Sequence, residues 1–251
     1  MIKSNYKSKT MYNDVCCEIT VKDMKLYPVT VFCNRKQEEW SSESNVVFHW
    51  EPNKKNDFLV GYVMNFNQIS NYIPELGKDY YEHENGLKTF NAKIFDISGE
   101  YYFHIQGFDK YYNKTPVVHY KILYNNPPDP PTELSLNGIR FFKNGEKISK
   151  FEKNLFSWTH SYDKDENDFG NLKYELVICK KSNFENVDYN SGLINKNYFE
   201  LNFDNQSFFG KIFWKVRSYD GKQYSDWSRI SSFEVNNEPT VPTDIKFFKK
   251  N

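Results

Sequence analysis

Tyr102-Phe103-His104-Ile105-Gln106-Gly107-Phe108-Asp109 is matched about 110 residues later by Phe213-Trp214-Lys215-Val216-Arg217-Ser218-Tyr219-Asp220. In the first copy, Phe103 and Ile105 alternate with His104 and Gln106. An alternation of apolar and polar residues over about four to eight positions is typical of a half-buried antiparallel strand. The two copies therefore predict equivalent strands in two repeated units.

Two further pairs of stretches support the repeat. Phe48-His49-Trp50 matches Phe156-Ser157-Trp158, and Gly61-Tyr62-Val63-Met64-Asn65-Phe66 matches Lys173-Tyr174-Glu175-Leu176-Val177-Ile178. The order is the same and the offset is nearly constant, as in tandem domains. Short strands separated by Asn, Asp, Gly and Lys turns predict β-sandwiches. We expect an all-β chain of two tandem immunoglobulin-like antiparallel β-sandwiches.

The domain limits follow from a proline-rich stretch in the middle of the chain. Asn125-Asn126-Pro127-Pro128-Asp129-Pro130-Pro131 predicts a semi-rigid, extended linker, because proline fixes φ and restricts the preceding residue. A related stretch, Asn236-Asn237-Glu238-Pro239-Thr240-Val241-Pro242, follows the second repeat. The sequence thus divides into a leader (1–26), a first sandwich (27–125), a linker (126–131), a second sandwich (132–236), and a further linker with the start of a third repeat (237–251).

The second repeat resembles the fibronectin type III-like modules of bacterial and phage surface proteins. The resemblance rests on Trp158-Thr159-His160-Ser161, Tyr174-Glu175-Leu176-Val177-Ile178, Phe213 to Gly221, and Tyr224-Ser225-Asp226-Trp227-Ser228. The first repeat is similar to a sister variant, through Gly99-Glu100-Tyr101-Tyr102-Phe103-His104-Ile105 and its neighbours. The resemblance implies that both repeats adopt the fibronectin type III-like fold, an immunoglobulin-like β-sandwich.

Four aromatic residues are candidates for the cores: Trp50, Trp158, Trp214 and Tyr101. We expect the tryptophans to lie between the sheets. Tyr101 also fits the tyrosine corner of such sandwiches, in which a hydroxyl ties a loop to a strand. The same position in the second repeat is Ile212, which lacks the hydroxyl.

Charge and hydropathy disfavour nucleic acid and membrane partners. Lys plus Arg and Asp plus Glu each number 33, so no net field attracts polyanions. The sequence has no apolar run of about 18 residues, so we expect no membrane insertion. Met1 to Tyr6 do not begin the apolar core of a signal peptide. The partners that we expect are other protein chains or glycans.

Catalytic and metal-binding patterns are weak. The chain has no GxSxG, CxxC or HxxxH motif. His104 and His119 could face each other across adjacent strands, where they are more typical of surface aromatics than of ligands. The loop containing Asp163, Asp165, Asn167 and Asp168 departs from the EF-hand pattern, and Asp and Asn commonly cap turns. We expect no enzyme activity and no cofactor, with calcium at Asp163, Asp165 and Asn167 as the alternative.

Tyrosines in expected loops are the better candidates for binding, because tyrosine offers a large amphipathic contact area at low entropic cost. Some of them are equally expected to fold back on the ends of the sandwiches. Residues 1–26 are either a disordered leader or a strand that pairs with another chain. The candidate binding tyrosines are Tyr72, Tyr80, Tyr81, Tyr111, Tyr112 and Tyr189.

These features favour a non-catalytic structural or adhesive module that makes protein or surface contacts in a larger assembly, a phage virion or a bacterial cell surface. The alternative is an accessory, glycan-contacting spacer of a secreted polysaccharide-degrading enzyme. The location that we expect is a virion, or the extracellular space or cell surface.

Overall fold

The computed structural model describes residues 25–56, 58–83, 86, 88–95, 97–141, 147–149, 152–165, 171–203 and 208–236. Every regular element in these ranges is a β-strand. No helix in these ranges could cross a membrane. The expected third-repeat strand, and the leader apart from Lys25 and Leu26, lie outside the described residues.

The first sandwich contains eight strands. A three-stranded sheet has the order β1-β3-β6 and faces a five-stranded sheet of order β2-β8-β7-β4-β5. All neighbours are antiparallel except the short pair β2 and β8, which is parallel. The strands are β1 (Thr30–Cys33), β2 (Trp40–Ser41), β3 (Asn45–Glu51), β4 (Leu59–Asn67), β5 (Tyr80–His83), β6 (Thr89–Lys93), β7 (Gly99–Asp109) and β8 (Val118–Tyr124).

The second sandwich repeats this topology. Its three-stranded sheet has the order β14-β11-β9, and its five-stranded sheet the order β10-β16-β15-β12-β13. The two-residue strand β10 again pairs in parallel with the last strand. The strands are β9 (Ser135–Leu136), β10 (Lys147–Ile148), β11 (Lys153–Ser157), β12 (Lys173–Cys179), β13 (Tyr189–Ile194), β14 (Tyr198–Asn202), β15 (Gly210–Tyr219) and β16 (Ser231–Val235).

The two cores use matched aromatic residues. Phe48 stacks on Phe103 at 4.3 Å between ring centroids, and their counterparts Phe156 and Trp214 meet edge to face at 4.9 Å. These residues come from facing sheets, because inward side chains alternate along each strand. The prediction of two tandem immunoglobulin-like sandwiches of the fibronectin type III-like class is confirmed.

The other predicted core residues are also placed by the structure. Trp50 and Trp158 are 1% and 4% exposed, and they pack on Tyr62 and Tyr174. Tyr101 is half-buried, and its hydroxyl donates to the carbonyl oxygen of Ile97 at 2.8 Å, as a tyrosine corner requires.

Both faces of the central strand β7 are buried. Phe103 and Ile105 face the core, yet His104 and Gln106 on the opposite face are 0% and 2% exposed. The alternation predicts that one face of this strand is exposed, and that prediction is therefore wrong for this part of β7. The cover is the segment between β4 and β5, residues 68–79, which is far from β7 in sequence.

Candidate binding surface

The turn between β7 and β8 is built around Asp109. The amide of Asp109 donates to the carbonyl oxygen of Asn113 at 3.0 Å, and the amide of Tyr112 donates to that of Asp109 at 3.0 Å. The carboxylate oxygen Asp109 Oδ1 accepts from the amides of Tyr111 at 2.8 Å and Asn113 at 2.9 Å. Burial would raise the pKa of Asp109, but hydrogen bonds from Asn113 and Tyr111 outweigh it and lower the pKa. The charged carboxylate thus fixes the turn.

This turn presents two tyrosines to solvent. Tyr111 is 67% exposed and Tyr112 is 71% exposed. The ammonium of Lys110 lies 4.9 Å from the centroid of the Tyr111 ring, within the range of a cation–π contact. Exposed tyrosines at the tip of a fixed hairpin are available to a partner without rearrangement of the fold.

Tyr112 also has an unusual backbone. Its φ is +64°, in the left-handed region that side chains with a Cβ rarely adopt. Such a conformation costs about 1–3 kcal/mol and persists only where the surroundings impose it. The turn after Asp220 in the second sandwich is one residue shorter and has its positive φ at a glycine, Gly221. Tyr112 thus adopts a conformation that glycine would adopt without this cost.

Tyr81 joins this surface from the neighbouring edge strand β5. Tyr81 and Tyr112 both lie close to Phe108, at centroid distances of 5.6 Å and 6.4 Å. Phe108 is 3% exposed, whereas Tyr81 is 39% exposed. A Cβ at Gly61 would lie 2.8 Å from the Tyr81 ring and 2.9 Å from the Phe108 ring, so glycine lets these rings approach. We call Tyr81, Tyr111 and Tyr112 the tyrosine surface.

The other three candidate tyrosines lie elsewhere. Tyr80 is 58% exposed but points toward Phe90, at 5.5 Å between centroids. Tyr189 is half-buried, packs on Phe199 and the second core, and has a pKa raised by burial. The structure therefore brings together three of the six tyrosines that the sequence singles out.

Tyr72, the sixth, belongs to the segment that covers β7. Its hydroxyl donates to the Asp79 carboxylate at 2.9 Å, which raises the pKa of Tyr72. The same carboxylate accepts from the Glu75 amide at 2.7 Å and from Asn65 Nδ2 at 2.5 Å. Asp79 thus clasps residues 72–79 onto β4. Sequence reasoning missed Asp79, and only the proline and tyrosine in a long polar connection hinted at an ordered cover.

Beneath this cover lies a histidine pair. His104 Nδ1 and His119 Nδ1 are 2.6 Å apart across β7 and β8. The ring of Tyr72 is 5.7 Å from that of His104. Burial, followed by the charge on His119, lowers the pKa of His104 from 6.5 to about 4. His104 is therefore a buried neutral imidazole, and the expectation that it is a surface aromatic is wrong.

In the second sandwich the corresponding outer face is occupied by its own side chains. Trp227 lies between Lys215 and Arg217, with the cationic groups 4.7 Å and 4.5 Å from the ring. Arg217 is also held by the carboxylate of Glu175, at 2.6 Å from Nη2. Burial lowers the pKa of Lys215, as does the nearby Arg217. In the sequence this cluster is indicated by two cations at alternate positions of β15, Lys215 and Arg217. The period-two pattern alone predicts only that these two side chains face solvent.

The acidic loop after Trp158 is only partly described. Asp163 Oδ1 accepts from the amide of Asp165 at 2.9 Å, which is a turn-capping bond. Asp165 Oδ2 lies 3.8 Å from Lys222 Nζ. Asn167 and Asp168 lie outside the described residues. Within the described ranges, no three His, Cys, Asp or Glu side chains gather as metal ligands.

Comparisons with known proteins give no function for this chain. No protein-family model matches the chain, and no curated protein matches it. One solved structure that matches contains domains FN1–FN3 of chicken CNTN1. It is 13% identical, with 85% of this chain and 68% of that chain covered, at a TM-score of 0.42. The class of the protein thus comes from its strand order: a tandem of fibronectin type III-like sandwiches.

Proposed function

We propose that this chain is a non-catalytic module that binds another protein chain through the tyrosine surface. The observation that carries the proposal is the exposure of Tyr111 and Tyr112, 67% and 71%, on a turn fixed by Asp109. Tyrosine at protein interfaces combines a large contact area with a polar tip and loses little side-chain entropy. A hairpin already fixed before binding lowers the ordering cost further.

The strain at Tyr112 supports the same proposal. A left-handed tyrosine costs stability that a glycine at this position would not cost. Strained residues cluster at functional sites, where their side chains are held in a defined position. A tyrosine in this strained position therefore favours a role in contact over a role in folding.

The setting that we propose is a larger assembly, a phage virion or a bacterial cell surface, in which the two sandwiches present this contact. The support is the tandem repeat and the resemblance of both repeats to modules of such proteins. The alternative is a glycan-contacting accessory module of a secreted polysaccharide-degrading enzyme. It is favoured by the exposed ring of Tyr112, which is 71% exposed, since flat aromatic surfaces also suit sugar rings.

Site-specific photo-crosslinking in the native producing cells or particles tests the proposal. A benzophenone amino acid replaces Tyr111 in one variant and Tyr198 in a matched control, because Tyr198 is a 39% exposed tyrosine on the second sandwich. We expect one discrete protein adduct from position 111, lost when Tyr112→Ala is added, and none from position 198. Equal adducts at both positions, or none at 111, would contradict the proposal.

A panel of immobilised oligosaccharides separates the two functions. The protein-binding proposal predicts no retention of the purified chain on β-linked glucose or N-acetylglucosamine oligomers. Retention that Tyr81→Ala and Tyr112→Ala abolish would favour the glycan-contacting alternative. Light scattering of the native complex then gives the stoichiometry, and a large symmetric particle is the outcome expected for a virion or surface assembly.

A further inference from the structure

The proline-rich linker is fastened to both sandwiches. On the first side, the Asn126 amide donates to Ser98 Oγ at 2.8 Å. On the second side, the Asp129 amide donates to the carbonyl oxygen of Tyr162 at 2.8 Å, and the Asp129 carbonyl oxygen accepts from Ser218 Oγ at 2.9 Å. Only Pro127 and Pro128 lie between these anchors, and their φ angles are restricted. The linker has little freedom left for a hinge.

A buried hydrogen bond also joins the two sandwiches directly. Asn125, at the end of β8, is 0% exposed, and its Nδ2 donates to Asp220 Oδ2 at 2.7 Å. The backbone amide of Asn125 donates to the carbonyl oxygen of Ser41 at 3.2 Å, which fixes its direction. Asp220 is itself 8% exposed. A buried amide–carboxylate bond is costly to break, because both polar groups would lose their partner.

Asp220 receives this bond while it organises the turn after β15. Its other oxygen, Oδ1, accepts from the amides of Lys222 and Gln223, each at 2.7 Å. Lys222 Nζ then lies 5.2 Å from the ring centroid of Trp40 in the first sandwich. The end of the first sandwich therefore docks onto the turn after β15.

The matched turn of the first sandwich is built differently. Asp109 Oδ1 also accepts two backbone amides, but Oδ2 accepts from Asn113 Nδ2 of the same turn at 2.9 Å. Asp109 thus completes its bonding within its own hairpin, whereas Asp220 completes it with Asn125, which is 95 residues away in sequence. Among the described residues, the second turn docks onto the other sandwich, whereas the first turn presents Tyr111 and Tyr112 to solvent.

We infer that the junction locks the two sandwiches in one fixed orientation, with Asn125 and Asp220 as the positioning pair. This inference goes beyond the proposed function and holds whichever ligand the tyrosine surface binds. A fixed angle would set the direction in which Tyr111 and Tyr112 are presented relative to the second sandwich. Asn125 Oδ1 accepts no hydrogen bond among the described residues, so the side chain acts through Nδ2.

Residual dipolar couplings of the full chain test the inference, because they report the orientation of each sandwich in one alignment frame. We expect the unmodified chain to fit a single alignment tensor. Asn125→Asp places two carboxylates face to face and should give two different tensors. The exchange variant, Asn125→Asp with Asp220→Asn, reverses donor and acceptor and should restore the single tensor.

Asp109→Asn is the matched control, because it changes the equivalent carboxylate in a turn that contacts no second sandwich among the described residues. It should leave the single tensor unchanged. Amide chemical shifts establish that both sandwiches remain folded in each variant, and Asn125→Ala replaces Asn125→Asp if the latter unfolds. Two tensors in the unmodified chain, or one tensor in the variant with a changed Asn125 alone, would overturn the inference.

Discussion

His119 donates a hydrogen bond to His104 across β7 and β8. The Nδ1 atoms are 2.6 Å apart, so one nitrogen carries the proton and the other accepts it. Asn67 Oδ1 accepts from the amide of Ile69 at 2.7 Å and lies 3.3 Å from His104 Nε2. That oxygen can only accept, so Nε2 of His104 is protonated and its Nδ1 is the acceptor. A proton added to Nδ1 of His104 would place its N–H group against the Nδ1–H group of His119.

The pair makes the stability of the first sandwich depend on pH. The pKa of His104 falls from 6.5 to about 4, first through burial and then through His119. Between these values the unfolded chain binds more protons than the folded one, so the free energy of unfolding falls as pH falls from about 6.5 to about 4. The loss should approach about 3 kcal/mol.

Urea unfolding followed between pH 7 and pH 4 measures this dependence. His104→Gln keeps a polar group of similar reach but cannot titrate, so its unfolding free energy should change less over the same interval. If His104→Gln and the unmodified chain lose stability in parallel, His104 does not carry the effect.

The sequence predicts most of the core and little of the outer faces. Phe103, Ile105 and the tryptophans follow from period-two patterning, since each strand's neighbours impose it locally. The burial of His104 could not be predicted, because its cover is clasped by Asp79, a polar residue in a distant connection. The sequence predicts both Tyr72 and Tyr112 as exposed loop tyrosines. Only the contact with Asp79 in the structure shows that Tyr72 covers β7, whereas Tyr112 is exposed.

Trp158 and Trp227, two of the three tryptophans of the second sandwich, should differ in their contribution to stability. Trp158 is 4% exposed and packs on Tyr174, so Trp158→Ala should destabilise the sandwich by about 3–5 kcal/mol through loss of buried area and a cavity. Trp227 is half-buried on the outer face between Lys215 and Arg217, and Trp227→Ala should cost about 1–2 kcal/mol. Denaturant unfolding of the two variants measures both effects, provided that the m value stays unchanged. Equal losses in the free energy of unfolding would contradict this assignment.

Asp79 should control the cover over His104. Asp79→Ala removes the acceptor of Tyr72, Glu75 and Asn65, so amide hydrogen exchange in residues 68–79 should become faster. His104 would then become more hydrated. Because burial is the largest cause of its lowered pKa and the charge on Asp79 only a minor opposing one, the pKa should rise toward 6.5, which an NMR titration measures.

Glu75→Gln is the control for the cover. It removes only an exposed ion pair with Lys78, whose side chains are 53% and 68% exposed, and such pairs contribute little. Exchange in residues 68–79 should therefore stay as it is in the unmodified chain. A response equal to that of Asp79→Ala would mean that general loop charge, and not the Asp79 clasp, holds the cover.

Tyr112 should show a reversed order of glycine and alanine. In most positions glycine is the less stable of the two, because the unfolded chain gains entropy. At φ +64° alanine keeps the strain of a left-handed Cβ and glycine removes it, so Tyr112→Gly should be about 1 kcal/mol more stable than Tyr112→Ala. Both variants lose the ring that contacts Phe108, so the comparison isolates the effect of the backbone.

Thermal unfolding gives the order of stability of the two variants, and photo-crosslinking from position 111 should fail in both. A glycine variant that unfolds at or below the alanine variant would show that the turn does not strain Tyr112. A glycine variant that still crosslinks from position 111 would show that the Tyr112 ring is not needed for contact with the partner.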